Sequence, residues 1–170
     1  MALNVEDVLR ILSLVPLPRE GGFFRETYRS QLVILAQALP PVYTGSRHAA
    51  TAIYYLLTPS SASLIHRLPG DEVFHFYLGD PVEMIQLHPN GRAKRVVIGS
   101  GIERGMRPQV VVPGGVWQGS RLVAGGRFAL MGTTMAPGFE VEDFAAGNRA
   151  VLLRQFPEYA DLIRALTPEE

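Results

Sequence analysis

His66-Arg-Leu-Pro-Gly-Asp-Glu72-Val-Phe-His-Phe-Tyr-Leu-Gly79 is the stretch whose reading decides the fold. An imidazole and a carboxylate stand on either side of a Pro-Gly turn. If the flanking runs pair as a hairpin, strand alternation lets His66 and Glu72 face one interior. Phe74, Phe76 and Leu78 share the parity of Glu72 and are expected to wall that interior. His75, three residues after Glu72, falls on the opposite face, and Gly79 marks the next turn.

Outward from this stretch, short strand-like runs recur between Gly and Pro punctuation, at residues 51–57, 63–66, 72–78, 82–88, 93–98, 109–112 and 127–135. Residues 23–35 also read as extended. Regular short strands of this kind predict a sandwich or barrel rather than βαβ units. Asn90-Gly91 suits a type I′ hairpin turn. Ahead of the strands, Val5, Val8, Leu9 and Leu12 share one helical face, with Asn4 as cap and Asp7 at the capping-box position, and Pro16 and Pro18 close the segment. Residues 148–156 and 158–166 carry helical spacing around Pro157. No repeat or linker interrupts the chain, so one domain over residues 1–170 is expected, with its barrel at about 20–145.

Composition narrows the function classes. The 170 residues are 47% hydrophobic and 19% charged, and sixteen basic residues balance sixteen acidic ones. Neutrality offers no long-range attraction for phosphate backbones or anionic lipid, so neither nucleic acid nor membrane is an expected partner. Without cysteine, disulfides and thiolate metal sites are excluded. The acidic opening Met-Ala-Leu-Asn-Val-Glu-Asp is unlike a secretory leader, and no apolar run reaches the ~18 residues of a membrane span. A soluble cytoplasmic protein is the expectation.

The spacing from His66 through Glu72 to Gly79 resembles the first motif of the cupin superfamily, with Leu68 where that motif has a second His. Pro113-Gly-Gly115-Val-Trp-Gln118 resembles the second motif, with Gln118 in place of its His. Four blocks in order resemble the group called Cupin_5, or DUF985: residues 21–30, 66–80, 111–118 and 136–144, the last reading Ala136-Pro-Gly-Phe-Glu-Val-Glu-Asp-Phe144. The resemblance implies an all-β fold, the cupin double-stranded β-helix or jelly-roll barrel, with an N-terminal helix and short C-terminal helices. It also implies a homodimer, and the early strand, with Tyr28, Val33 and Leu35, is the edge expected at the two-fold contact.

Within that barrel His66, Glu72 and Gln118 are expected to converge on a small-molecule pocket, with Phe74 and Phe76 as its apolar wall. A buried carboxylate needs a partner, so Glu72 calls for a donor, a cation or a ligand. A metal cofactor is not expected, because leucine and a neutral amide occupy two imidazole places; any divalent ion would rest on His66, Glu72 and Gln118. Residues 19–29 also resemble the early strand of dTDP-sugar 3,5-epimerases, which implies ligand contacts for Phe24, Arg25 and Glu26. His66 then matches the base of those enzymes, a role suited to imidazole, which changes charge near neutral pH. Their tyrosine acid has no counterpart after the second motif, since no Tyr lies between residues 78 and 158. Tyr55 or Tyr77 could substitute only if aimed inward. His48 is expected at the barrel mouth or on a loop, His88 on a surface turn and Trp117 outside the cavity. The resulting expectation is a cupin that binds a small polar metabolite, sugar-like or nucleotide-like, with epimerase-like proton transfer in which His66 and Glu72 are catalytic. The alternatives are a non-catalytic binding protein and a metal-dependent cupin with a degenerate site.

Overall fold

The computed structural model describes residues 3–168. Helix α1 (Val5–Leu12) starts where Asn4 Oδ1 accepts the Asp7 amide, and it stops at Ser13, whose left-handed φ of 53° turns the chain before the prolines. Strands β1 (Val15–Pro16), β2 (Phe23–Arg29), β3 (Val33–Ile34), β4 (Arg47–His48) and β5 (Thr51–Leu57) follow. The centre of the chain supplies β6 (Ala62–Arg67), β7 (Glu72–Gly79), β8 (Val82–Leu87), β9 (Ala93–Ile98), β10 (Gln109–Val112), β11 (Trp117–Leu122) and β12 (Ala129–Met135). After β13 (Ala145–Ala146) come helices α2 (Arg149–Gln155) and α3 (Ala160–Ala165).

Two antiparallel sheets face each other as a jelly roll, one ordered β1-β2-β5-β12-β7-β10 and the other β13-β6-β11-β8-β9. Their inner faces bury Tyr55, Phe74, Met84, Ile98, Val112 and Met131 in one cluster. On the outer face of the second sheet, Ile65, Ile85 and Leu87 pack under Leu152, Phe156 and Ile163 of the C-terminal helices. Val8 of α1 covers Leu56 and Leu130 on the outside of the first sheet. Burying each such side chain contributes about 1.5–3 kcal/mol relative to exposure, so the helices are needed to cover apolar outer faces. Among the described residues no helix is long and apolar enough to cross a membrane.

Three local expectations are corrected. The β7–β12 register shifts between Leu130 and Met131, so Leu78 pairs with Leu130 on the outer face and is 38% exposed rather than lining the interior. A bulge at Tyr77 reverses the parity that strict alternation assumed. At the β8–β9 hairpin only Gly91 has positive φ (81°), and the His88 amide donates to Arg92 O around a three-residue loop; this is not a type I′ turn. Finally, residues 117–122, read only as part of a motif, form the central strand β11, paired with both β6 and β8. Its Gln, Gly, Ser and Arg weakened the apolar signal of a strand.

Candidate functional site

The two motifs meet through their loops. Gly115 N–H donates to Leu68 O at 2.8 Å, and Gly114 N–H donates to Asp71 Oδ1 at 2.8 Å. Gly114 has to be glycine here, because a Cβ would lie 2.2 Å from Pro69 O. This docking brings β7 and β11, from different sheets, together at their starts. Gln118 Nε2 consequently donates to Glu72 Oε2 at 2.6 Å across the interior. His66 is the register partner of Gln118 on β6, and Ser63 is that of Ser120.

His66 is 1% exposed. Its Nδ1 lies 2.8 Å from Leu64 O, an acceptor only, so Nδ1 carries a proton, and in the tautomer protonated there alone Nε2 is a bare lone pair. Nε2 has no hydrogen-bond partner, and Ser120 Oγ shares that condition. Leaving a buried polar atom unsatisfied costs about 1–3 kcal/mol. The atom facing Nε2 is Glu20 Oε2 at 3.9 Å, beyond hydrogen-bonding distance.

Glu20, Ser63 and Phe144 were not legible as site residues in the sequence, whereas Tyr55 was named there as an acid conditional on pointing inward. Glu20 sits in the turn between β1 and β2, where Gly21 and Gly22 have φ of 97° and 73°. A Cβ on Gly21 would stand 2.3 Å from Ala62 O, so the glycine lets the turn press against β6 and deliver its carboxylate inward. Ser63 Oγ donates to Glu20 Oε1 at 2.9 Å. Tyr55 is buried and does point inward, with its hydroxyl donating to Gly21 O at 2.9 Å. Burial and the Glu20 carboxylate raise its phenol well above the ordinary value. The available signal was Glu20 followed by Gly-Gly, a carboxylate placed on a turn that other side chains cannot make.

Burial raises the Glu72 carboxyl above the usual carboxylate value, and Glu20 adds to the shift; His66, Thr133 and Gln118 oppose it. A strap formed by residues 139–147 closes over His66. Phe144 stacks on the imidazole at 5.0 Å between ring centroids, and the Arg19 guanidinium is 4.9 Å from the Phe144 ring centroid. The strap is held by β13, which pairs Ala146 with His66, and by the buried Arg47, which binds both Asp143 oxygens.

The other expected residues divide. Phe74 is buried in the intersheet core, with Phe76 and Phe24 packed against it. Arg25 and Glu26 are exposed; Arg25 donates to Leu12 O and Glu26 pairs with Arg29, so neither joins the His66 cluster. Their alternation on β2 alone cannot bring both inward. His48 Nδ1 meets Ser30 O at 2.7 Å. His75 Nε2 lies 3.2 Å from Thr134 Oγ1 on the face opposite Glu72. A cavity of about 330 Å³ beside the strap is lined by Leu68, Arg67, Asp143 and Gly115, and another of about 490 Å³ by Thr58, Ser60, Ser61 and Arg121. Neither is lined by His66, Glu72 or Gln118, all three of which are buried.

The runs flanking the Pro69-Gly70 turn do not pair as the expected hairpin: His66 lies on β6 of one sheet and Glu72 on β7 of the other, and Gln118 comes from β11 beside β6. A jelly roll that carries a His, a Glu and a third polar residue in this way defines the cupin class. The family model described as Cupin superfamily (DUF985), Cupin_5, matches residues 6–147, and the chain belongs to that family. The uncharacterized protein YML079W of Saccharomyces cerevisiae is 33% identical over 135 residues, 74% of this chain and 66% of the yeast protein, so the match spans just under two thirds of that relative. A solved hypothetical protein of Leishmania major is 32% identical with a TM-score of 0.86, covering 98% of this chain and all of its own. A Shewanella oneidensis protein gives the same identity and TM-score, covering 99% of this chain and all of its own. Bacillus subtilis oxalate decarboxylase, known for Mn(II) centres, is 15% identical with a TM-score of 0.53, covering 94% of this chain and 39% of its own, and shares the fold alone.

The residues present do not fit a divalent cation of the cupin type. Among the described residues no three His, Cys, Asp or Glu side chains are spaced to hold one. Leu68 occupies one imidazole place, and the Gln118 amide turns its NH2 to Glu72.

Proposed function

We propose that the barrel interior receives a small polar metabolite, sugar-like or nucleotide-like, which hydrogen-bonds His66 Nε2 beside Glu72. The observation that carries this reading is Nε2 of His66, which with Ser120 Oγ is one of two buried side-chain polar atoms without a partner among the described residues. Entry requires the strap to lift, because Phe144 covers the ring.

The enzymatic form of the reading is proton exchange next to a carbonyl. Nε2 would take a proton from the carbon, leaving an enolate and an imidazolium, and the same proton or one from solvent would return to either face; nothing is oxidised or reduced. The inward hydroxyl of Tyr55 supports an acid in reach of this chemistry, although it is engaged by Gly21 O. A binding protein without turnover needs only the contacts.

Thermal-shift screening of wild type and His66→Asn against nucleotides, nucleotide sugars and free sugars tests the site. A compound that stabilises wild type and not the variant is the expected result; compounds that shift both equally would remove His66 from the site. Deuterium wash-in from heavy water into a bound carbonyl compound separates the isomerase from the binding protein.

A further inference from the structure

We infer that the ligand is an uncharged, hydroxyl-rich molecule of free-sugar type, lacking phosphate and carboxylate. This rests on the reading above that the interior is the ligand site, and it specifies the chemical class.

The argument is one of donors against acceptors. Nδ1–H of His66 is committed to Leu64 O, so Nε2, buried and without a partner, is the ring atom left to a ligand, as a lone pair in that tautomer. Glu20 Oε2 stands 3.9 Å from Nε2, beyond direct hydrogen-bonding distance. Glu20 accepts from Ser63 Oγ at 2.9 Å with the Tyr55 hydroxyl beside it, and Glu72 accepts from Gln118 Nε2 at 2.6 Å with the Thr133 hydroxyl beside it. An ionised carboxylate has about four acceptor sites, so both retain unused capacity. Ser120 Oγ, in register with Ser63, is buried with no partner. Acceptors therefore converge with too few donors, and a ligand has to bring O–H groups.

The same surroundings reject anions. Among the described residues no Arg or Lys pairs with Glu20, His66 or Glu72. The surrounding cations have other partners: Arg19 lies over the Phe144 ring on the strap, Arg47 pairs with Asp143, Arg25 donates to Leu12 O, and Arg67 lies over the Trp117 ring. A phosphate or carboxylate brought in would be desolvated against like charges with nothing to compensate. Hydroxyls can donate to Nε2 and to the carboxylates while accepting from Ser120, which pairs every orphaned group at once.

Isothermal titration with a matched set of glucose, glucose 6-phosphate and glucuronate, and the corresponding xylose pair, tests the class. The free sugar is expected to bind wild type at least tenfold more tightly than either anion. Glu20→Gln is expected to weaken the free sugar about tenfold or more, the scale of one lost hydrogen bond to a charged group, and to narrow the discrimination against the phosphate. Ser120→Ala provides a second, milder loss, and unfolding curves confirm that both variants fold. An anion binding as tightly as its neutral partner, an unchanged Glu20→Gln, or no binding of any free sugar overturns the inference. In those cases the His66→Asn comparison on the wider panel separates the two claims. An anionic compound whose binding still requires His66 leaves the site standing and removes only the ligand class, whereas binding indifferent to His66 removes both.

Discussion

Gln118 Nε2 and Glu72 Oε2, 2.6 Å apart, join the two sheets through the interior of the barrel. The residue at the last position of the second motif thus acts as a donor to the carboxylate of the first. A buried carboxylate held by an amide, with a second carboxylate nearby, is an arrangement that costs stability.

Glu72→Gln is expected to raise stability at neutral pH. The folded state holds the Glu72 proton more tightly than the ordinary value of 4.5. The favourable contribution of the protonated form is complete below that value and is lost as pH rises through the raised one. The variant has no such loss. Thermal unfolding should show wild type and variant alike at about pH 4 and the variant melting higher at about pH 7.5. A variant that melts lower at neutral pH would show that the charged carboxylate stabilises the fold.

Arg47→Ala should destabilise severely. The Arg47 and Asp143 side chains are 1% and 4% exposed, and removing one partner strands the other charge. Such changes cost about 3–5 kcal/mol. The double change with Asp143→Ala should cost less than the two single losses combined, because the stranded charge is then gone. Denaturant unfolding of the four proteins measures this coupling.

Much of the barrel was legible because the chain alternates between sheets whose inner and outer faces are both covered. Thr51–Leu57 and Ala93–Ile98 announce themselves through β-branched and aromatic content. Trp117–Leu122 did not, since a strand whose inward positions are Gln118 and Ser120 looks polar until its partners are known. The motif spacing located His66, Glu72 and Gln118, but Glu20 and Phe144 reach the same ring from 46 residues before and 78 after it, by a turn and a strap. Only tertiary pairing reveals such contacts. Parity failed at Leu78 for a related reason: one bulged residue reverses every later side chain.

The protein purified without added metal should carry well under one equivalent of zinc, iron or manganese per chain. Leu68 and the amide of Gln118 remove two of the donors a stable site requires. Elemental analysis at one equivalent per chain would mean that other groups ligate.

Tyr28 is 54% exposed on β2, which is paired on one side by β5 and on the other only by the two residues of β1, while Val33 and Leu35, 45% and 54% exposed, lie on and just after β3 of the separate β3–β4 pair. Edge strands of this kind invite pairing with a second copy. Light scattering should give twice the 18.7 kDa chain mass, and Tyr28→Glu with Val33→Glu should return it to 18.7 kDa. Wild type at the single-chain mass at micromolar concentration would refute the dimer.

The central claim, that a bare His66 Nε2 is the contact atom for a ligand, is tested most directly by nitrogen NMR of histidine-labelled protein. Each of the four imidazoles reports its tautomer, and His66→Asn identifies the relevant signals. The account predicts His66 protonated at Nδ1, as its bond to Leu64 O requires, and unprotonated at Nε2 in the free protein. Titration with a compound that stabilises wild type and not His66→Asn should move Nε2 of His66 most of all four residues. A proton found on Nε2 in the free protein, or a titration that moves His48, His75 or His88 and leaves His66 in place, would contradict it.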